Sequence, residues 1–274
     1  RLLAHLVIDL RLMQGVHHLR IFQGQFHAAE HAGQHLLGHA GGILAVRHQQ
    51  HGHAGIPFLD GAQYLQLLRL GFASPLLISV HGTCLSPADI DALAACGAAV
   101  VHCPESNLKL GIGVCPAPAL LGRGVRVALG TDGAASNNDL DVISEMRTAG
   151  LLAAGVSARP GALVARDLLR MATLEGARVL GLGDSTGSLV AGKWADLCCI
   201  NLRTAGSWPV HDVEAALVYA CSSRQVTDTW VAGRRVFAAG SLRYIDDRTW
   251  LRAHRPRDGE IRPPKIGTEC LTNE

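Results

Sequence analysis

Three polar side chains stand where apolar runs stop. Pro75-Leu-Leu-Ile-Ser-Val80 ends in His81, Ala98-Ala-Val-Val101 ends in His102, and Val125-Arg-Val-Ala-Leu129 ends in Gly130-Thr131-Asp132. A carboxylate of this kind can take a proton from an attacking water and return it to a leaving group. A neutral imidazole beside it can stabilise charge that develops on the reacting atom. His102 reads as a structural histidine of a loop or core. Ser106, Asn107 and Lys109 organise the loop after the second run, with substrate contact as the alternative. Ser136, Asn137 and Asn138 stand at a helix start, where capping is the ordinary role and substrate contact again the alternative. Cys198-Cys199 lies in an apolar run and reads as core, because adjacent thiols make a poor bidentate metal site. Gly181-Leu-Gly183 lacks the context of a phosphate-cradling turn.

The elements that position these residues follow from the same text. The run before His81 has the continuous apolar character of a strand buried on both faces. Ser86-Pro87-Ala88-Asp89 then supplies an N-cap, a proline at the first helical position and an acid three residues after the cap. The helix runs to about Ala95 and closes near Gly97. Ala98–His102 is a second strand, and Cys103-Pro104-Glu105-Ser106-Asn107 a loop that cannot continue the ladder. A helix around Ala117–Leu121 leads to a third strand, Val125–Leu129. Two helices follow, about Asp139–Leu152 and Gly161–Leu180. Strands alternating with helices predict a parallel sheet, and both barrels and open α/β folds place chemistry at strand C-termini. From about Gly187, short strands at Ser188–Val190, Ala195–Asn201, Val213–Tyr219 and Val226–Val236 predict a small all-β module. A hairpin turn is expected at Ala232-Gly233-Arg234.

Composition divides the chain. Residues 1–66 hold ten of the 14 histidines, eight of the nine glutamines and only three acids. This yields four expected regions: a His/Gln-rich segment at 1–64, an α/β region at 65–186, a β region at 187–245 and a polar tail at 246–274. One reading of the first segment is that residues 1 to about 62 are the product of a frameshift, a rearrangement or a mis-called start, in the GC-rich gene suggested by 22 Arg against 3 Lys. The net charge of +2 gives no basic face for nucleic acid. No apolar run approaches the 18 or so residues that span a bilayer, and no signal peptide opens the chain. With eight cysteines and no CxxC, a cytoplasmic protein with reduced, mostly buried thiols is expected.

Three blocks carry a family resemblance: His102-Cys-Pro-Glu-Ser-Asn-Leu-Lys-Leu110, Ala128-Leu-Gly-Thr-Asp-Gly-Ala-Ala-Ser-Asn-Asn138 and Gly187-Ser-Leu-x-x-Gly-Lys-x-Ala-Asp-Leu197. Together they resemble the amidohydrolase superfamily, in particular the 5-methylthioadenosine/S-adenosylhomocysteine deaminases and their chlorohydrolase relatives, over roughly residues 65–246. The resemblance implies a (β/α)8 TIM barrel with a catalytic metal, usually zinc, and a β-sandwich built from both chain ends. It implies hydrolysis of an amino or chloro substituent from a purine or triazine ring, so a small-molecule substrate, and it is compatible with a homo-oligomer. By the same resemblance Asp132 is the metal-ligand aspartate and proton carrier. His81 is then the histidine that hydrogen-bonds the attacking water and orients the leaving group, and Ser136 and Asn137 are substrate-binding candidates. Such a metal lowers the pKa of its water to about 7.

Two elements of the family pattern are missing from their places: the His-x-His of the first barrel strand and the His-x-x-Glu of the fifth. His51-Gly52-His53 and His27-Ala28-Ala29-Glu30 match them only in reversed order; in a segment so rich in histidine coincidence is the ordinary reading, and a metal-ligand role is the alternative. A (β/α)8 barrel takes about 250 residues, or about 31 per unit. Residues 65–181, 117 in number, supply three to four units. The expected fold is therefore α/β, the last three to four units of a barrel plus part of a β-sandwich. Two functions stay open: a zinc-dependent deaminase or dechlorinase, and a truncated, inactive remnant of one.

Overall fold

The computed structural model describes residues 5–6, 35–40, 43–47 and 74–244. Five strands form one sheet in the order β2 (His35–Ala40), β3 (Ile43–Arg47), β4 (Leu77–Val80), β5 (Ala99–His102) and β6 (Arg126–Leu129). The pairing of β2 with β3 is antiparallel, and β3 to β6 run parallel. In β4 to β6 successive residues are buried on both faces, which is why these strands are apolar runs without alternation. Leu77, Val100, Val127 and Leu129 join the main core. Ile78, Ala99 and Ala128 pack with Val179 in a second, smaller cluster.

Helices connect the strands. The first, α1 (Pro87–Cys96), carries the expected capping box: Ser86 Oγ accepts from Asp89 N at 3.2 Å and Asp89 Oδ2 from Ser86 N at 2.8 Å. Gly97 closes it in the left-handed conformation at φ 70°. After β5 the chain forms a helix, α2 (Pro104–Leu110), where the sequence reading gave a loop. Proline does end the ladder, but at the first position of a helix its missing N–H costs nothing, so it starts α2 as readily as it stops β5. Next come α3 (Ala117–Gly122) and α4 (Val142–Ser157). The latter starts three residues later than expected because Asp141 is its cap, with Oδ1 accepting from Ile143 N at 2.9 Å. The expected helix over 161–180 is two helices, α5 (Ala165–Ala172) and α6 (Leu174–Val179), broken at Thr173 with φ −128° and ψ −94°. At the N-terminal end of the sheet Arg126 donates to Gly97 O at 2.8 Å, Pro75 O at 3.3 Å and Arg178 O at 3.4 Å, tying three connections together.

A second sheet is antiparallel, in the order β1 (His5–Leu6), β7 (Leu197–Ile200), β8 (Val226–Val231), β9 (Arg234–Ala238) and β10 (Ser241–Leu242). Positive φ at both Ala232 (50°) and Gly233 (76°) makes the tight turn between β8 and β9. Two expected strands are absent from the described residues. Ser188–Val190 is a loop between Gly187 and Gly192, with Leu189 and Val190 58% and 60% exposed. Val213–Tyr219 is helical instead: Asp212 Oδ1 accepts from Ala215 N at 3.1 Å and starts α7 (Val213–Ala215), which passes into a π-helical turn at Ala216–Ala220. Of the cysteines, Cys103, Cys115, Cys198, Cys199 and Cys221 are buried, and Cys84 and Cys96 are partly buried. The tail at 246–274 lies outside the described residues.

Among the described residues, Gly187 is the one glycine that combines a positive φ with a Cβ contact under 3.0 Å. Its φ is 81°, and a Cβ there would stand 2.7 Å from Ala177 Cβ and 3.0 Å from Leu174 Cα. Gly187→Ala is expected to destabilise the fold by more than about 1 kcal/mol, measured as a lower urea midpoint at unchanged slope. An unchanged midpoint would contradict this packing.

Candidate active site

Because β4, β5 and β6 run parallel, their C-terminal ends share one edge. The pairs Val80↔Val101 and His102↔Leu129 then bring His81, His102 and Gly130-Thr131-Asp132 side by side. Both His81 and Asp132 have positive φ, 72° and 61°. Non-glycine residues rarely adopt that conformation, and the strain it stores is typical of functional positions. It turns both side chains off the strands and toward each other: His81 Nε2 lies 3.8 Å from Asp132 Oδ2.

The partners of these two residues come from the segments that follow β5 and β6. Asn107 in α2 sits 2.7 Å from His81, with Oδ1 accepting from Nδ1–H. In the neutral ring this bond leaves Nε2 as an acceptor facing Asp132. Ser106, also in α2, donates to Asp132 Oδ2 at 2.9 Å, and Ser136 donates to the same oxygen at 2.7 Å. Ser136 and Asn137 precede the cap of α4, so they are not its caps; Asn137 Oδ1 instead accepts from Leu140 N at 2.8 Å. Lys109 donates to Ala135 O at 3.1 Å and to Asn138 Oδ1, holding the turn that carries Ser136.

Burial governs the ionisation here. His102 is 2% exposed, and desolvation, with His81 adding a smaller push, lowers its pKa to about 4. Its Nδ1 and the Asn107 Nδ2 have no hydrogen-bond partner among the described residues. Desolvation raises the Cys103 thiol, with Glu145 and Asp132 adding to it, and pushes Cys115 up to about 12, so neither is a ready thiolate. Glu145 of α4 is fully buried, and desolvation pushes it up to about 8 against the pull of two N–H donors. Those donors are Glu105 N, 3.0 Å from Oε2, and Asn137 Nδ2, 2.7 Å from Oε1. Glu105 is raised by burial too, and accepts from Thr148 Oγ1 at 2.8 Å. Sequence reasoning passed over Glu145. The available signal was an acid on the apolar face of α4, three residues from Val142 and four from Ala149, both buried.

A profile described as the amidohydrolase family matches residues 21–236. The chain belongs to the amidohydrolase family. Its match reaches further toward the N-terminus than the resemblance read from the motifs. This amidohydrolase is 45% identical over 178 residues to the 5-methylthioadenosine/S-adenosylhomocysteine deaminase of Moorella thermoacetica, covering 65% of this chain and 42% of that protein. It is 44% identical over 177 residues to the deaminase of the same name from Teredinibacter turnerae, covering 65% and 40%. The chain thus spans about two fifths of the length of these relatives. Among solved structures it matches an adenosine deaminase from Xanthomonas campestris with bound zinc, with TM-score 0.68, 48% identity and coverage of 69% of this chain and 43% of that one. It also matches the atrazine chlorohydrolase of Arthrobacter aurescens complexed with zinc, with TM-score 0.66, 27% identity and coverage of 72% and 46%. These likenesses show an α/β amidohydrolase fold of the TIM-barrel type.

Among the described residues no group of three His, Cys, Asp or Glu side chains converges as a metal ion requires. Asp132 and His81 provide a carboxylate and an imidazole, which by themselves do not fit a zinc ion. His51, His53, His27 and Glu30 lie outside the described residues. No described helix is long and apolar enough to cross a membrane.

The depressed His102 sets a pH dependence. The folded ring stays neutral down to about pH 4, while the unfolded one takes a proton near 6.5. Stability from this group is therefore lost as pH falls from about 6.5 to 4, up to about 3 kcal/mol. Glu145 slopes the other way: its folded pKa is raised, so its contribution is lost as pH rises toward about 8. Urea unfolding of the native chain and of His102→Asn between pH 7 and pH 4.5 should show the stability gap between them changing in favour of the variant as pH falls. Parallel curves would refute the buried neutral imidazole.

Proposed function

We propose that this chain carries the C-terminal share of a metal-dependent hydrolase acting on carbon–nitrogen, non-peptide bonds. The reaction in this reading is hydrolytic deamination of 5-methylthioadenosine, S-adenosylhomocysteine or a related purine or triazine ring. The observation that carries it is the facing pair of Asp132 and His81 at the ends of β6 and β4, with Ser106 and Ser136 donating to the carboxylate. The relatives' names, the zinc in two of the matched structures and the motif at residues 128–138 support the same reading.

In this reading Asp132 is the working carboxylate. With the neutral His81 donating Nδ1–H to Asn107, Nε2 and Asp132 Oδ2 are both acceptors, and the attacking water in this reading donates to them from beside the pair. Asp132 takes a proton from that water as its oxygen adds to the ring carbon. The carbon–nitrogen bond then breaks, and the same proton leaves on the departing ammonia. His81 orients the water and the leaving group. Ser136 and Asn137 serve as substrate-side residues only if the turn they form opens toward the ring, since both side chains are already engaged within the cluster. Zinc belongs to this reading through the relatives, and its remaining ligands must come from outside the described residues or from another chain.

The architecture in this reading is the last three to four units of a TIM barrel at 65–186, part of a β-sandwich at 187–245, a His/Gln-rich segment at 1–64 and a tail at 246–274. A cytoplasmic location and a homo-oligomer complete it. A second reading, a truncated and catalytically inactive remnant, is favoured by one observation: the incomplete donor set among the described residues.

Zinc stoichiometry on the zinc-supplemented chain separates the two. About one equivalent per chain, lost in Asp132→Asn and accompanied by ammonia release from methylthioadenosine, is the expected result. Absence of any Asp132-dependent zinc would leave only the remnant.

A further inference from the structure

The buried carboxylate of Glu145 has two oxygens and two partners, and each partner neighbours a hydroxyl that reaches Asp132. Oε2 accepts from the backbone N–H of Glu105, next to Ser106. Oε1 accepts from the side-chain amide of Asn137, next to Ser136. Ser106 belongs to α2 and Ser136 to the turn after β6, two segments that arrive from different strands. Asp132 accepts from both, Lys109 of α2 reaches the turn at its outer side, and Glu145 bonds to both from a third element, α4. The structure assigns Glu145 a positioning role: it clamps the start of α2 to the turn at 133–138, so that Ser106 and Ser136 converge on one oxygen of Asp132. This deepens the proposed function and rests on its reading of Asp132 as the working carboxylate.

The chemistry of the clamp is specific. Both sites around Glu145 are donors, so the ionised side chain, the form present above about pH 8, accepts twice. An amide at 145 can accept only once, and its NH2 group would face either the Asn137 amide or the Glu105 N–H. Volume is unchanged, so any effect of E145Q reports the lost acceptor rather than lost packing. Exchanging the two groups repairs the network. In N137D/E145Q one oxygen of the new carboxylate accepts from Leu140 N, as Asn137 Oδ1 does now, and the other accepts from the new amide nitrogen. The new amide oxygen keeps the bond from Glu105 N.

The test reads the environment of Asp132 directly, through its carboxyl carbon resonance in carboxyl-labelled protein at a fixed pH above about 8, where Glu145 is ionised, assigned with D132N. E145Q is expected to move this resonance in the same direction as S106A/S136A, and N137D/E145Q to return it to the native position. If E145Q leaves the resonance unmoved, or if the exchanged pair fails to restore it, including by failing to fold, the clamp is wrong. This readout holds whether or not the chain turns over substrate, so a chain without activity overturns the proposed function and not the clamp. Where the chain is active, E145Q should lower kcat on the order of 10²-fold with KM within about twofold, and the exchanged pair should restore kcat. A loss confined to KM would overturn the positioning role.

Discussion

Parallel pairing of β4, β5 and β6 is the constraint on which the polar cluster depends. In a parallel sheet every strand ends at the same edge, so residues far apart in sequence meet there without any long-range design of their own. His81 meets Asp132 because Val80 pairs with Val101 and His102 pairs with Leu129. A slip of one residue would turn an apolar side chain toward each position now held by these groups. The opposite edge of the sheet is held by the Arg126 guanidinium, whose planar fork reaches three backbone carbonyls. One end of the sheet is therefore bound together by backbone contacts. The other is left to side chains with ionisable and hydroxyl groups.

Around that second edge the structure accepts local costs. Four non-glycine residues, His81, Asp132, Asn138 and Leu140, adopt positive φ, a histidine is kept neutral by burial, and an acid is buried without a cationic partner in its hydrogen-bond shell. Each lowers stability by itself. They are tolerated because α3, α4 and α5 fill the neighbouring core with Leu120, Met146 and Leu168, all fully buried. Strain and desolvation concentrate where the polar groups meet, and the apolar core beside them offsets it.

Much of this arrangement is legible in the sequence, for identifiable reasons. β4, β5 and β6 are apolar runs closed by punctuation, α1 announces itself through Ser86, Pro87 and Asp89, and the β8–β9 turn through Ala232-Gly233. The family follows from three motif blocks, since spacing and identity coincide there. What escaped notice had weaker local signals. α2 is seven residues long, too short for periodicity to show, and its leading proline reads equally as a stop. Val213–Tyr219 is an apolar run without a decisive period, and its helical form depends on the Asp212 cap and on Arg147, which donates to Val218 O and Cys221 O from another helix. Glu145 looks like an ordinary helix acid until its neighbours on α4 are seen to be buried. Its bonds to Glu105 and Asn137 join three segments, a tertiary fact that no single stretch of chain records.

The placement of Arg147 two residues after Glu145 carries a mechanical meaning. α4 holds the strand-end cluster through Glu145 and, through Arg147, the π-helical turn that leads into β8. A helix is stiff at this length, rising about 1.5 Å per residue, so both sets of bonds ride on one solid body. Hydrogen bonds at Glu145 are lost with about 1 Å of sliding. The small antiparallel sheet and the polar cluster thus share a single alignment tolerance. Insertions or deletions between Asp212 and Ser222 that pull on the π-helical turn would be felt at Asp132, even though no residue of that stretch bonds to it.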